Sequence, residues 1–195
     1  MSNLTTTITE VYNHRPCEDG FAKLIGNVLG IKTCGDINIA KQFNLLTDEQ
    51  KNKKLTLLEI LDSNGVKDAF WALLCWEYRD YCLLLADVAE SVAYIFNEKY
   101  PNDNRVKDCI QGIRDYHAYK ITLEELHELR AAIYAASSAS AADDDDAAYA
   151  VTYAATYATA YTAAYAYADD TAGTAAQWEV NEKLMREFIE KDLNV

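Results

Sequence analysis

Only two prolines and seven glycines interrupt the 195 residues of this chain. A β-sandwich or barrel needs many tight turns, so this scarcity points away from both. Long apolar runs are also missing, and none approaches the ~20 residues that span a bilayer. The opening "MSNLTTTITEVYNHRPCEDG" has neither a basic n-region nor an apolar h-region. The five cysteines, Cys17, Cys34, Cys75, Cys82 and Cys109, are an odd number without a framework spacing. These absences together predict a cytoplasmic protein with reduced thiols and no membrane association. No Gly-rich phosphate loop, nucleophile elbow or H-E-x-x-H motif occurs, so the reading is non-enzymatic and without a cofactor.

Basic residues are scarce in one part of the chain only. Residues 1–120 carry 17 acidic and 14 basic side chains, a net of −3, whereas residues 121–195 carry 14 and 4, a net of −10. An acidic field repels nucleic acid and anionic membrane and attracts basic protein surfaces. The charge step divides the sequence into an N-terminal helical region, 1–120, and an acidic Ala/Tyr-rich region, 121–195, packed on it as one structural unit.

What is present is helical periodicity. Phe21, Leu24, Ile25, Val28 and Leu29 predict a helix over 18–29 that stops at Gly30. A short helix is expected near 37–43, and "TDEQKNKK" reads as a solvated turn. "LTLLEILDSNG" predicts a helix closed by Gly65, followed at once by one with Val66, Ala69, Phe70, Leu73 and Leu74 on a single face. Leu84, Leu85, Val88, Val92, Ile95 and Phe96 predict a helix from 79 to 100, ended by Pro101. Val106, Cys109, Ile110 and Ile113 mark the next helix. Thr122 and Glu125 form a capping box before Leu123, Leu126, Leu129 and Ile133. No alternating strand is evident, and the expected fold is all-α.

The segment "AAYAVTYAATYATAYTAAYAYADD" places tyrosines at 149, 153, 157, 161 and 165. Alanine favours helix, and Asp143, Asp144, Asp145 and Asp146 precede the run where carboxylates suit a helix N-terminus. With a break at Gly173, this helix and the last one, bearing Trp178, Leu184, Met185, Phe188 and Ile189, form an antiparallel hairpin. Each four-residue step advances a ring by roughly 40°, so five rings wind through roughly 160° and cannot share one narrow stripe. The ladder therefore either pads an alanine-thin core or forms a partner-binding face. The acidic positions, with Asp169 and Asp170, either cap and solvate or imitate nucleic-acid phosphate.

His14 and Cys17, in "HRPC", are half of a zinc site or a thiol–imidazole couple, but no second pair supplies further ligands. A structural role in a loop is the simpler reading, and small-ligand or metal binding there is the alternative.

Two segments carry a resemblance. His14, Pro16, Cys17 and Gly20 in the opening, and Asn64, Gly65, Asp68, Ala69 and Trp71 in "ILDSNGVKDAFWAL", precede an Ala-rich C-terminus. In this order they resemble a group of phage and bacterial proteins similar to the toxin-immunity proteins of bacterial polymorphic toxin systems. Phe21 stands where that group has Trp, and tyrosines replace its usual arginines among the alanines. The resemblance implies a context, a phage or mobile element in conflict with a host or competitor. Joined to the acidic charge and the tyrosine ladder, it leads to the expectation of an inhibitor of immunity or anti-defence type that occludes a basic, nucleic-acid-processing protein in the host cytoplasm. The binding residues would be Tyr149, Tyr153, Tyr157, Tyr161 and Tyr165 with Asp143–Asp146, Asp169 and Asp170. Self-association remains compatible with this reading.

Overall fold

A computed structural model describes residues 4–31, 38–141 and 171–193. Ten α-helices dominate these residues, with one short 3₁₀ turn and one two-stranded ribbon, so the fold is all-α as the sequence implies. Contacts divide the chain into two compact units, Met1–Glu77 with Ile189–Val195, and Tyr78–Phe188. The charge step near residue 120 falls inside the second.

In the first unit, β1 (Thr5–Thr7) pairs antiparallel with β2 (Lys54–Thr56), with Thr5 opposite Thr56 and Thr7 opposite Lys54. This ribbon corrects the strand-free expectation. Three residues are too few to display a period-2 pattern, and the pairing comes from a partner far along the chain. Each strand runs straight into a helix, β1 into α1 (Ile8–Asn13) and β2 into α5 (Leu57–Asn64). Both junctions are capping boxes. Thr7 and Glu10 bond reciprocally, as do Thr56 and Glu59, so backbone donors at the helix start are satisfied locally.

Between them lie α2 (Glu18–Leu29), α3 (Ile39–Asn44) and α4 (Asp48–Lys51). The expected helix over 18–29 is present and ends at a left-handed Gly30. The segment read as a solvated turn contains α4, a single helical turn. Its capping box of Thr47 and Gln50 supplies the local bonds that propensity alone does not. Phe21 is fully buried, Tyr12 stacks on Phe43 at 4.0 Å, and Phe21 tilts against both rings. These aromatic contacts pin α1, α2 and α3 together.

Gly65 is at once the C-cap of α5 and the N-cap of α6 (Val66–Ala72). The expected glycine corner is present, but with φ +90° and ψ 172° rather than the left-handed helical conformation. After α6 the chain tightens into a 3₁₀ turn, Leu73–Cys75. That change of pitch leaves Leu73 buried and Leu74 exposed, correcting the single face expected for both.

The second unit contains α7 (Tyr78–Lys99), α8 (Arg105–His117), α9 (Leu123–Ala141) and all but the end of α10 (Thr171–Leu193). Leu84, Leu85, Val88, Val92 and Phe96 form the buried stripe of α7, which packs on α8. On α8 the predicted Val106, Cys109, Ile110 and Ile113 are all buried. Helix α9 comes so close to α8 that a Cβ on Gly112 would stand 2.3 Å from Leu129 Cδ1. On α9, Leu126 and Ile133 are buried, whereas Leu123 is exposed. A buried polar step ties α10 to α7, with Gln177 Nε2 donating to Ser91 Oγ at 3.0 Å and to Asn181 Oδ1 at 2.9 Å.

Helix α10 begins at Thr171 and continues through Gly173, where the sequence placed a break. One glycine costs a helix only ~1 kcal/mol relative to alanine, and the alanines and threonines beside it carry the helix across. The first arm of the expected hairpin lies outside the described residues.

Candidate functional site

The residues singled out for partner binding, Tyr149, Tyr153, Tyr157, Tyr161 and Tyr165 with Asp143–Asp146, Asp169 and Asp170, lie outside the described residues. So does Cys34. His14 and Cys17 are described, and both are exposed. The backbone N–H of His14 closes α1 by donating to the Glu10 and Val11 carbonyls. Cys17 caps α2, its Sγ accepting from the Gly20 N–H at 3.3 Å. Among the described residues no three His, Cys, Asp or Glu side chains gather as metal ligands.

The two sequence segments that carry the resemblance do meet. Asn64, at the end of α5, donates through Nδ2 to the Gly20 carbonyl at 2.8 Å and to Asp68 Oδ2 at 2.7 Å. Its own carbonyl accepts from Lys23 Nζ at 2.8 Å, and its Oδ1 accepts from Ser63 at 2.9 Å. Position 20 is tightly packed: a Cβ there would stand 3.0 Å from Cys17 Sγ and 3.1 Å from Asp68 Oδ2, so those side chains would have to give by a few tenths of an ångström. Asn64 thus clamps the start of α2 to the α5–α6 corner. Every hydrogen-bonding atom of its amide and carbonyl that this arrangement uses faces another part of the same unit, which makes it a joint.

The second unit brings together a different set. The Arg79 guanidinium lies between two tyrosine rings, its Cζ 3.7 Å from the centroid of Tyr116 and 4.0 Å from that of Tyr119. Its Nη1 donates to the Tyr116 carbonyl, and His117 Nδ1 lies 3.1 Å from the Arg79 carbonyl. Nearby, Tyr78 packs against Tyr81 and Tyr116, and Arg130 stacks on Tyr78 with Cζ at 4.8 Å. Arg130 Nη2 donates to the Tyr78 hydroxyl, while its Nε is buried without an acceptor among the described residues.

Tyr119 is 80% exposed and has φ +58°. It occupies the position after the C-cap of α8, which usually belongs to glycine. The bonds Tyr119 N–H to Tyr116 O and Lys120 N–H to Asp115 O complete a Schellman closure. A left-handed tyrosine costs about 1–2 kcal/mol relative to an ordinary conformation, and here it spreads a large ring over Arg79 in water.

The other arginines of this unit behave differently. Arg105 pairs with Asp103, Arg114 with Asp87 and Glu90, and Arg186 with Glu182. Arg79 and Arg130 instead engage rings and uncharged oxygens. Sequence reasoning passed over this cluster. The signal available was the repeated Arg-Asp-Tyr at 79–81 and 114–116, but a two-copy tripeptide does not reveal that helix ends meet.

Burial pushes the Cys82 and Cys109 thiols up to about 11, with Arg79 and Arg130 respectively opposing the shift. It raises the Tyr78 hydroxyl as well. A raised thiol pKa favours the folded state while the unfolded thiols are protonated. This contribution is complete below the ordinary thiol value of 9.0 and is lost as pH rises through about 11. Native protein at pH 8 should therefore alkylate rapidly at exposed Cys17 and only on unfolding at Cys82 and Cys109, as read by mass spectrometry. Stability should fall between those two pH values, and replacing both buried cysteines with alanine should flatten that decline. Labelling of Cys82 at the rate of Cys17 would refute the assignment.

The family described as Imm-5 like putative immunity protein matches residues 79–181. No curated protein and no solved structure matches the chain. The matched residues nearly fill the second compact unit, Tyr78–Phe188. They include the arginine–tyrosine cluster except Tyr78, and the whole Tyr149–Tyr165 segment. The Asn64 joint lies outside them.

Proposed function

Since the chain belongs to the Imm-5 like family of putative immunity proteins, matched over more than half its length, we propose that it neutralises a partner protein by occlusion. The partner is a basic, nucleic-acid-processing protein, and the setting is a phage or mobile element acting in a host cytoplasm. Tyr149, Tyr153, Tyr157, Tyr161 and Tyr165 supply desolvated contact area, and Asp143–Asp146 with Asp169 and Asp170 steer the approach. One observation carries this reading: the family match runs from 79 to 181 and so encloses both the tyrosine ladder and the acidic positions. The net charge of −10 over residues 121–195 supports a basic partner. Among the described residues, no helix is long and apolar enough to cross a membrane.

Affinity capture from the native host with the full chain tests the proposal. Capture of a basic protein should weaken steadily from about 0.05 to 0.5 M salt as charge steering is screened. Replacing Tyr153, Tyr157 and Tyr161 together with alanine should weaken it by at least about 30-fold, the scale of one hot-spot loss. Replacing Asp143–Asp146 with asparagine should remove most of the salt dependence without altering the melting temperature. Salt-independent capture that survives both variants would eliminate occlusion by this segment.

A further inference from the structure

The arginine–tyrosine cluster has a composition that the acidic segment does not explain. Three arginines of the second unit are paired with carboxylates, whereas Arg79 and Arg130 are held on tyrosine rings with uncharged acceptors. Acidic residues outnumber basic ones by 31 to 18, so a pair of unneutralised arginines is not forced by any shortage of carboxylates. Asp80, adjacent to Arg79 in sequence, is exposed and makes no ion pair with it among the described residues. Asp115 is already engaged by Lys120 at 3.0 Å and Gln111 at 3.1 Å.

Geometry adds to this. Stacking between Tyr116 and Tyr119 fixes the plane of the Arg79 guanidinium, and among the described residues its one hydrogen bond uses Nη1 alone. A guanidinium can donate five hydrogen bonds in a rigid fork suited to carboxylate, so most of its capacity remains. Tyr119 leans over it from a left-handed backbone position, 80% exposed. Exposed Leu123 starts the next helix four residues on. Tyrosine and arginine together are the residues that dominate protein interfaces.

We infer that Arg79, framed by Tyr116 and Tyr119, is a docking point for a carboxylate-bearing segment of a partner protein. Charge complementarity selects that occupant: among the described residues the pre-set cation has no carboxylate partner, and an acidic peptide supplies one.

The test is titration of the isotope-labelled full chain with an acetylated tetraglutamate peptide, with tetraglutamine and inorganic phosphate as comparisons. The expected result is saturable shifts at the Arg79 Nε–H and the amides of residues 116–120, at least about tenfold stronger for tetraglutamate than for tetraglutamine. Tyr119→Gly should abolish them while leaving the melting temperature equal or higher, because glycine accepts the same backbone position without strain. Arg79→Gln should also abolish them, and if that variant fails to fold, Tyr119→Gly still decides the matter. Equal response to tetraglutamine or to phosphate, shifts elsewhere in the chain, or the same shifts on concentrating the protein alone would overturn the proposal. The last of these would make the occupant a second copy.

Discussion

Phe96→Ala should destabilise the second unit by about 3–5 kcal/mol, the usual cost of removing a buried aromatic ring. Phe96 is 2% exposed and lies on the inward stripe of α7, with the Tyr100 ring 4.9 Å away. Truncation loses both the transfer energy of the ring and its dispersion contacts. In a close-packed interior the neighbouring side chains relax only partly into such a cavity. A domain stable by 5–15 kcal/mol would lose a large fraction of its margin. Amide exchange across α7 and α8 should accelerate by roughly 10²–10⁴-fold if it proceeds through unfolding of the unit. Phe96→Leu should recover more than half of the loss. A cost below ~1 kcal/mol would mean that the site collapses freely and that packing here is looser than the burial indicates.

The second large effect is Gly65→Ala. No atom beyond its immediate neighbours lies within 4 Å of the Cβ that alanine would add, so there is no steric objection from tertiary packing. The objection is in the backbone: φ +90° with ψ 172° is a conformation that only glycine adopts readily. A cost of about 1–3 kcal/mol is expected from strain alone. Gly30 offers an internal comparison, since its φ +67° and ψ 23° are left-handed helical and tolerate asparagine. Gly30→Asn should therefore be mild, and Gly65→Asn as costly as Gly65→Ala, in denaturant midpoints measured by circular dichroism. Equal midpoints for Gly30→Asn and Gly65→Asn would show that the corner relaxes rather than resists.

These two positions also show what could be read without coordinates. The helix carrying Phe96 was legible because Leu84, Leu85, Val88, Val92 and Phe96 repeat at helical intervals over several turns. The corner at Gly65 was legible because two apolar patterns meet at one glycine, although its ψ was not. Capping chemistry was only partly used: Thr122 and Glu125 were recognised, but Thr7–Glu10, Thr47–Gln50 and Thr56–Glu59 have the same spacing and mark three more helix starts. The ribbon was not legible, since Thr5–Thr7 has no alternation to detect and its partner lies far along the chain. The arginine–tyrosine cluster escaped for a related reason. It is assembled from the start of α7, the end of α8 and the first half of α9, and no local pattern encodes that convergence.

The ribbon has a temporal consequence. Thr5 pairs with Thr56, so the first strand emerges about 50 residues before the strand that receives it. At ~5–20 residues per second, synthesis leaves that strand without its partner for roughly 3–10 s. An apolar segment waiting so long with open backbone groups would invite pairing with other chains. Three consecutive threonines present β-branched backbone without a greasy surface, and Glu10 is already at hand to engage Thr6 and Thr7. The sequence of β1 thus suits a strand that must remain harmless until the rest of its unit has been made.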